Sequence, residues 1–518
     1  VIDRLVAFVP LFPWLAAAWI ALSQLADQKY SVAREKLTVF ISLGTIGLST
    51  SIMLMLDLKG LLYGVPNRLL MGTWFASGDF VVDISFSLDR LSLALGTLIV
   101  SLCLLTLRFS ANYMHREPGF QRYFMVMNLF AGAMLLIVLG GNAVLTFVGW
   151  EVAGVSSYLL IGYMLDRPVA TGNANRAFIT NRIGDGGFIL GIFLTYTGIG
   201  NTQWDQLNSL ANGPSTLSVG LISISFVVAA LAKSAQFPFS PWIARALDGP
   251  TPSSAIFYGA LMVHAGVYLL IRLEPLLIQV PGVMAMIAGL GLLSALYGWV
   301  SGLAHSDVKS SLMFSTTAQV GLMFFWCGMG WFGLATWHLG LHACWRAYQF
   351  LHAPSLMFMV SRAARPVSPW LGRQRWLFTA ALQHFWVEHI GEALITRPTK
   401  KLALDARAFD EAIVNTLVGL PAQAGAISSL AKWEEWKSGA IDLPEGGFGR
   451  GKGLAGKFME GIAGMLHWFE AQLVLKGGGE GLMQTLRHLG SYLIRIDQLL
   501  SRPRYLLLMI GVTFAVVL

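Results

Sequence analysis

Apolar runs of about twenty residues recur along this chain, separated by short polar turns. They lie near residues 5–25, 38–56, 90–107, 123–140, 143–164, 178–198, 218–236, 253–272, 282–304, 311–330, 332–358 and 503–518. A helix of roughly 20 apolar residues spans the hydrocarbon core of a bilayer, and nearly all these runs are long enough. The strict alternation of a membrane barrel strand is absent. The pattern predicts an all-α integral membrane protein, a polytopic bundle of about 12–13 transmembrane helices. The first run begins at Leu5 behind Arg4; no cleavage site follows it, so it reads as a span rather than a signal peptide.

The pattern divides the chain. Residues 1–360 read as a dense transmembrane bundle with short loops. Residues 361–502, about a quarter of the chain, hold nearly half of its charged residues and cannot be a simple series of spans. Around 376–420, Phe385, Trp386, Ile390 and Leu394 alternate with Glu388, His389 and Glu392. Between 455 and 475, Phe458, Ile462, Leu466 and Phe469 fall at helical spacing. Both stretches predict amphipathic helices lying along a membrane surface or a partner. Pro444–Lys457, rich in glycine and charge, reads as a flexible linker between them. Residues 503–518 form a C-terminal transmembrane helix in this reading, short enough that the natural chain is expected to continue beyond Leu518.

Composition agrees with membrane residence. The chain has 518 residues, 55% hydrophobic and only 12% charged. Its net charge of +8 fits loops facing the cytoplasm and anionic lipid. It does not suggest nucleic acid, because no basic–aromatic stacking pattern accompanies it. Cys103, Cys327 and Cys344 sit in apolar runs with no paired spacing, so they read as small buried hydrophobes rather than cluster ligands or disulfides.

Against this apolar background the ionisable residues stand out, since charge at membrane depth is retained only for a purpose. Glu151 is the only acid in FVGWEVAGVSSYLLIGY. Desolvation there brings a carboxyl within range of proton exchange; the alternative is a neutral glutamate bonded to a neighbouring helix. Lys233 ends an apolar run, and Pro238 and Pro241 follow at once. Prolines break the helix and free carbonyls beside the lysine, a device of ion carriers. The competing reading is a lysine that snorkels to the interface. Lys309 follows His305 and Asp307. His338, His342 and Arg346 share one helix face at i, i+4 and i+8, and imidazoles pass protons near neutral pH. The HxxxH spacing lacks the glutamate of the HExxH zinc motif, so no metal site is expected. His264 lies alone on an apolar helix, as a core residue or as a member of the same relay. Arg182 and Asp185, at i and i+3, are placed to pair, with Arg176 six residues before Arg182; these fit electrostatic support, because arginine does not deprotonate in proteins. No GxSxG elbow and no HExxH motif supports an enzyme acting on its own.

FVGWEVAGVSSYLLIGY, ANRAFITNRIGDGGF, AKSAQFPFSPW, GPTPSSA, DVKSSLMFSTTAQVGLM and HLGLHACWRAYQFL together resemble a known family. They are similar to the long antiporter-like subunits of complex I (the NuoL type) and of multisubunit sodium/proton antiporters (the Mrp type). The likeness runs from about Ser87 to Pro354. It implies that Glu151 and Lys233 form the pair at an ion-access half-channel and that Lys309 belongs to a central charged axis. It also implies a broken helix near Lys233. Arg346 stands where the family usually has lysine, and Tyr258 where it has a histidine, while His264 appears six residues later. The family's second broken helix, with its own lysine, is missing after Ser361.

That combination, with GPTPSSAIFYGALMVHAGVYLLIR and RAYQFLHAPS, looks most like DabB, the membrane subunit of bacterial inorganic carbon accumulation complexes. The resemblance implies a multi-pass protein of the bacterial inner membrane that conducts H⁺ or Na⁺. It implies a DabA-like partner, a zinc protein similar to carbonic anhydrase, which would hold the zinc and perform the catalysis; no cofactor is expected in this chain. The alternatives are a proton-translocating subunit of a respiratory complex or hydrogenase, or a subunit of an Mrp-type antiporter.

Overall fold

The computed structural model describes residues 2–26, 31–78, 80–207, 216–305, 307–359, 367 and 369–409. The described residues fall in two units, one up to Gly391 and one from Glu392 onward. The amphipathic stretch 455–475, the linker 444–457 and the span 503–518 lie outside the described residues.

Within the first unit, a short 3₁₀ turn, Ile2–Ala7, leads into α1 (Phe8–Ala26). Then come α2 (Val32–Tyr63), α3 (Arg90–Tyr113), α4 (Phe120–Leu139), α5 (Ala143–Ile161), α6 (Pro168–Ile199) and α7 (Thr216–Lys233). Eight helical stretches among the described residues are long and apolar enough to cross a membrane, and every expected span before 503 coincides with a helix. Their burial is uneven. The α4 window is 94% buried and that of Thr251–Arg272 is 100% buried, whereas that of α2 is 28% buried. The first two form the centre of the bundle, and α2 leaves most of its apolar side exposed.

The all-helical expectation has one departure among the described residues. Strands β1 (Arg68–Ser77) and β2 (Phe80–Ser87) pair antiparallel in a hairpin. Gly78, at φ 59°, supplies the left-handed residue of the turn. The hairpin is tied down at its base: Asn142 Nδ2 donates to the Asp83 carbonyl (2.8 Å) while Asn142 Oδ1 caps α5 by accepting from Leu145 N (2.8 Å).

After α7 the chain is irregular. Lys233 ends the helix, Ala235 adopts a positive φ of 51°, and the Phe237–Pro238 bond is cis. Two short helices follow, α8 (Pro241–Ala244) and α9 (Thr251–Ser254). This is the broken helix expected from the prolines. A second irregularity is not visible in the sequence. The span Thr251–Arg272 passes through a π turn (Ala255–Ala260) and a 3₁₀ turn (Met262–His264) before it becomes α10 (Ala265–Arg272). Such bulges often mark functional positions.

The short α11 (Glu274–Leu277) leads to α12 (Pro281–Ala304), α13 (Val308–Gly328) and α14 (Phe332–Met359). Helices α12 and α13 meet backbone to backbone: a Cβ on Gly291 would lie 2.5 Å from Phe325 N, and one on Gly321 2.6 Å from Ala295 N. Without a hydrophobic drive between helices in lipid, such close approach supplies the packing energy.

The unit closes with α15 (Pro369–Arg373), α16 (Arg375–Leu382), a 3₁₀ turn His384–Trp386 and α17 (Val387–Gly391). Glu388 holds this end against the bundle by pairing with Arg176 (2.9 Å) and Arg245 (2.5 Å). Trp376, Trp386 and Ile390 point outward, as expected of a surface-lying amphipathic segment. In the second unit, a π turn (Glu392–Thr396) opens into α18 (Arg397–Phe409), a charged helix.

Candidate functional site

Helices α5, α6 and α7 bring four charged side chains together. Three glycines of α6 make this possible. A Cβ on Gly187 would lie 2.7 Å from the Ser225 carbonyl and one on Gly191 2.8 Å from the Phe226 ring, while one on Gly184 would collide with Ala232. Close packing on α7 sets Arg182 and Asp185 beside Lys233.

Glu151, Asp185 and Lys233 are all buried, with Lys233 only 1% exposed. The snorkelling alternative for Lys233 is therefore excluded. Its Nζ donates to the Trp150 carbonyl (2.7 Å) and sits 5.0 Å from the centre of the Trp150 ring. Gly154 makes room for it: a Cβ there would stand 3.3 Å from Nζ and 3.5 Å from the Arg182 guanidinium. A bare ammonium is tolerated at this depth because it has a carbonyl, an aromatic face and two nearby carboxyls.

The pairing differs in detail from a direct Glu151–Lys233 contact. Arg182 bridges the two acids, meeting Glu151 Oε2 on one side and Asp185 Oδ2 (2.8 Å) on the other. It lies against Phe178, 4.8 Å from the ring centre. Arg182 and Asp185 thus pair at i, i+3 as their spacing suggests, and they sit within the cluster rather than at its margin. Beyond Lys233, Ser234 Oγ, Gln236 Oε1 and Ser254 Oγ are buried without a hydrogen-bond partner among the described residues. Polar atoms so placed are ordinarily satisfied by water.

A second polar group lies between the 3₁₀ turn before α10, α13 and α14. Arg346 Nε donates to His342 Nε2 (3.1 Å), so that nitrogen carries no proton. A neutral His342 therefore carries its proton on Nδ1, 2.9 Å from His264 Nε2, and donates it there. Arg346 also donates to Gln349 Oε1 (2.8 Å) and to Ser315 Oγ. His264 is thus bonded into the histidine group and is not an isolated core residue. His338 is less closely joined. Its Nε2 donates to Gln319 Oε1 (2.9 Å) and its Nδ1 accepts from Trp326 (3.3 Å), while its ring meets that of His342 edge to face at 5.9 Å.

The remaining candidates stand apart. Lys309 is in the first turn of α13, half-buried, and no hydrogen bond links it to the histidine group among the described residues. Asp307 caps that helix by accepting from Ser310 N (2.8 Å). Tyr258 is buried in the π turn, its hydroxyl 3.4 Å from Ser157 Oγ, against Trp242. Arg176 serves the Glu388 contact. Two features escape a reading of the sequence. One is Arg272, which ends α10 and reaches Asp89 and Ser92 Oγ (2.7 Å) at the start of α3; a lone arginine closing an apolar run is its only signal. The other is the contact of His305 with His384.

Comparison with known proteins fits this arrangement. Residues 140–365 match the family model described as NADH:quinone oxidoreductase/Mrp antiporter, TM, and residues 74–124 match complex I chain 5 N-terminus. NAD(P)H-quinone oxidoreductase subunit 5, chloroplastic, of Manihot esculenta is 38% identical over 291 residues, 55% of this chain and 39% of that protein. The same subunit of Spinacia oleracea is 37% identical over the same length. The chain thus spans about two fifths of the length of these curated relatives. Among solved structures, the Mrp complex of Dietzia sp. DQ12-45-1b aligns with a TM-score of 0.60 at 22% identity, over 99% of this chain and 62% of that one. An archaeal respiratory membrane complex, the membrane-bound sulfane sulfur reductase, aligns at 0.58 with 18% identity, over 68% of this chain and 57% of that one. These two share the fold. Residues 140–365, which hold both polar groups, thus match the transmembrane segment of the NADH:quinone oxidoreductase/Mrp antiporter family, and the chain is an antiporter-like, multi-pass membrane protein.

Proposed function

We propose that this chain conducts a cation, H⁺ or Na⁺, across the membrane, and that it is not itself an enzyme. The observation that carries the reading is the burial of Glu151, Asp185 and Lys233 at a helix break, with the partly exposed Arg182 joining the two acids. Such a group is expensive in lipid and is retained where charge must move.

Arg182 is shared between two acids, so it can report the protonation of one to the other. A proton taken up by Glu151 weakens its hold on Arg182, which then neutralises Asp185 more fully. The field at Lys233 changes, and its proton becomes free to leave the Trp150 carbonyl for water held by the polar atoms of the break. From there His264 can take up a proton and share it with His342 along their hydrogen bond, and a proton passes beyond His342 only when Arg346 lets go of its Nε2. Arg346 holds positive charge beside this pair without releasing its own proton. Lys309, His338, Tyr258 and Asp307 support these groups from outside the two bonded clusters.

The finer reading is a DabB-type subunit of the bacterial inner membrane. It would pass cations down their gradient and so drive a DabA-like zinc partner to hydrate carbon dioxide, with all metal and catalysis in that partner. The motif GPTPSSAIFYGALMVHAGVYLLIR and the substitution of Arg346 for lysine support it. Lys233→Ala or Glu151→Ala is expected to abolish growth at low carbon dioxide while the complex still assembles; normal growth of both variants ends the proposal.

A proton-translocating subunit of a respiratory complex is the second reading. The identity to subunit 5 of the chloroplast quinone oxidoreductases favours it. Affinity purification from the native membrane separates the two: a zinc-bearing soluble partner supports the first, and dehydrogenase subunits support the second.

A further inference from the structure

The contact between His305 and His384 lies apart from both polar groups of the proposed ion path. His305 follows the last turn of α12, and His384 opens the 3₁₀ turn after α16. Their Nε2 atoms are 3.2 Å apart. The Nδ1–H of His305 donates to the Ser301 carbonyl (2.8 Å), which leaves its Nε2 as a lone pair facing His384. This is how metal-binding histidines are usually prepared: the far nitrogen is anchored on a carbonyl, and the near one is free.

The spacing fits a shared ion. Two imidazole nitrogens bound to one tetrahedral Zn²⁺, each at about 2.0–2.1 Å, stand about 3.3 Å apart. The backbone also holds His384 in an uncommon position. His384, Phe385 and Trp386 all have positive φ, at 51°, 54° and 56°. Three successive non-glycine residues in the left-handed region are disfavoured, and such strain gathers at functional places. Phe314 packs on both imidazoles, at 4.7 and 4.9 Å, and Phe385 packs on Tyr297, so the turn is fixed from two sides.

We infer that His305 and His384 form a binding site for a divalent transition-metal ion, Zn²⁺ first, which staples the end of α12 to the segment 375–391. Among the described residues no group of three or more histidines, cysteines or acids gathers. Glu388 is committed to Arg176 and Arg245. Water therefore completes the coordination, and the ion is exchangeable rather than structural. When it binds, the proton on His384 Nε2 moves to Nδ1, and no net proton is released.

The test uses the full-length protein in detergent, stripped with a chelator. Zn²⁺ is titrated by calorimetry, and Cu²⁺ serves as a spectroscopic probe. One saturable Zn²⁺ per chain is expected, lowered at least tenfold in affinity by His305→Gln and by His384→Gln, and unchanged by His338→Gln. Paramagnetic resonance of the Cu²⁺ form should show two imidazole nitrogens, a readout on the unaltered protein that does not depend on how the variants fold. Fewer than two nitrogens, no saturable binding, or loss of binding in His338→Gln alone overturns the assignment.

Discussion

His342 Nδ1 lies 2.9 Å from His264 Nε2, and this hydrogen bond joins α14 to the 3₁₀ turn that precedes α10. The π turn directly upstream shifts the helix register that sets where His264 points. A regular helix through 251–272 would present position 264 to a different neighbour.

The bond predicts a ranking among the histidines. His342→Gln removes the contact between Arg346 and His264 and is expected to lower proton flux in reconstituted vesicles by about 10²-fold, the lower end of what a positioned proton carrier contributes. His338→Gln, whose partners lie outside the bonded chain, should lower it by less than about tenfold. Equal losses in a pH-jump dye assay would show that the two act as one unit.

Gly154 carries a second prediction. A side chain there meets both Lys233 Nζ and the Arg182 guanidinium. Gly154→Val is expected to displace the lysine from the Trp150 carbonyl and to reduce flux at least about tenfold, which is the effect of roughly 1.4 kcal/mol at the barrier. Gly172, where a Cβ would meet nothing within 4 Å, is the control, and Gly172→Ala should leave flux unchanged.

Arg346 tests the departure from the family pattern. Arg346→Lys keeps the charge but loses the planar fork that reaches His342, Ser315 and Gln349 together. Flux is expected to survive in Arg346→Lys and to fall more than about tenfold in Arg346→Ala. If alanine is as active as lysine, positive charge at this position is not required.

Glu388 fastens the segment 375–391. Glu388→Ala removes its pairs with Arg176 and Arg245, whose side chains are 32% and 47% exposed. Partly exposed pairs contribute little each, so the loss should be about 1 kcal/mol in all. The readout is faster limited proteolysis after Arg373 and Arg375, with ion flux retained.

Asp307→Ala separates stability from transport. Losing the cap on Ser310 N should cost about 1 kcal/mol and lower the melting temperature by a few degrees. Initial flux should stay near that of the unaltered protein if Asp307 only starts the helix.

The apolar runs themselves determine the helices, because backbone polar groups in lipid must be satisfied within each segment. Glu151, Lys233, His342 and Arg346 were legible for the same reason: charge is conspicuous where desolvation is severe. The hairpin at 68–87 was less so, since its two strands are short and apolar and resemble fragments of a span. What the sequence could not settle is which charges touch. Arg182 stands between Glu151 and Asp185 because Gly184, Gly187 and Gly191 let α6 approach α7. His264 joins His342 beside a π turn, and His384 meets His305 across a left-handed turn. These contacts link residues 78 and 79 positions apart, where local pattern carries no information and only the packing of helices brings the groups together.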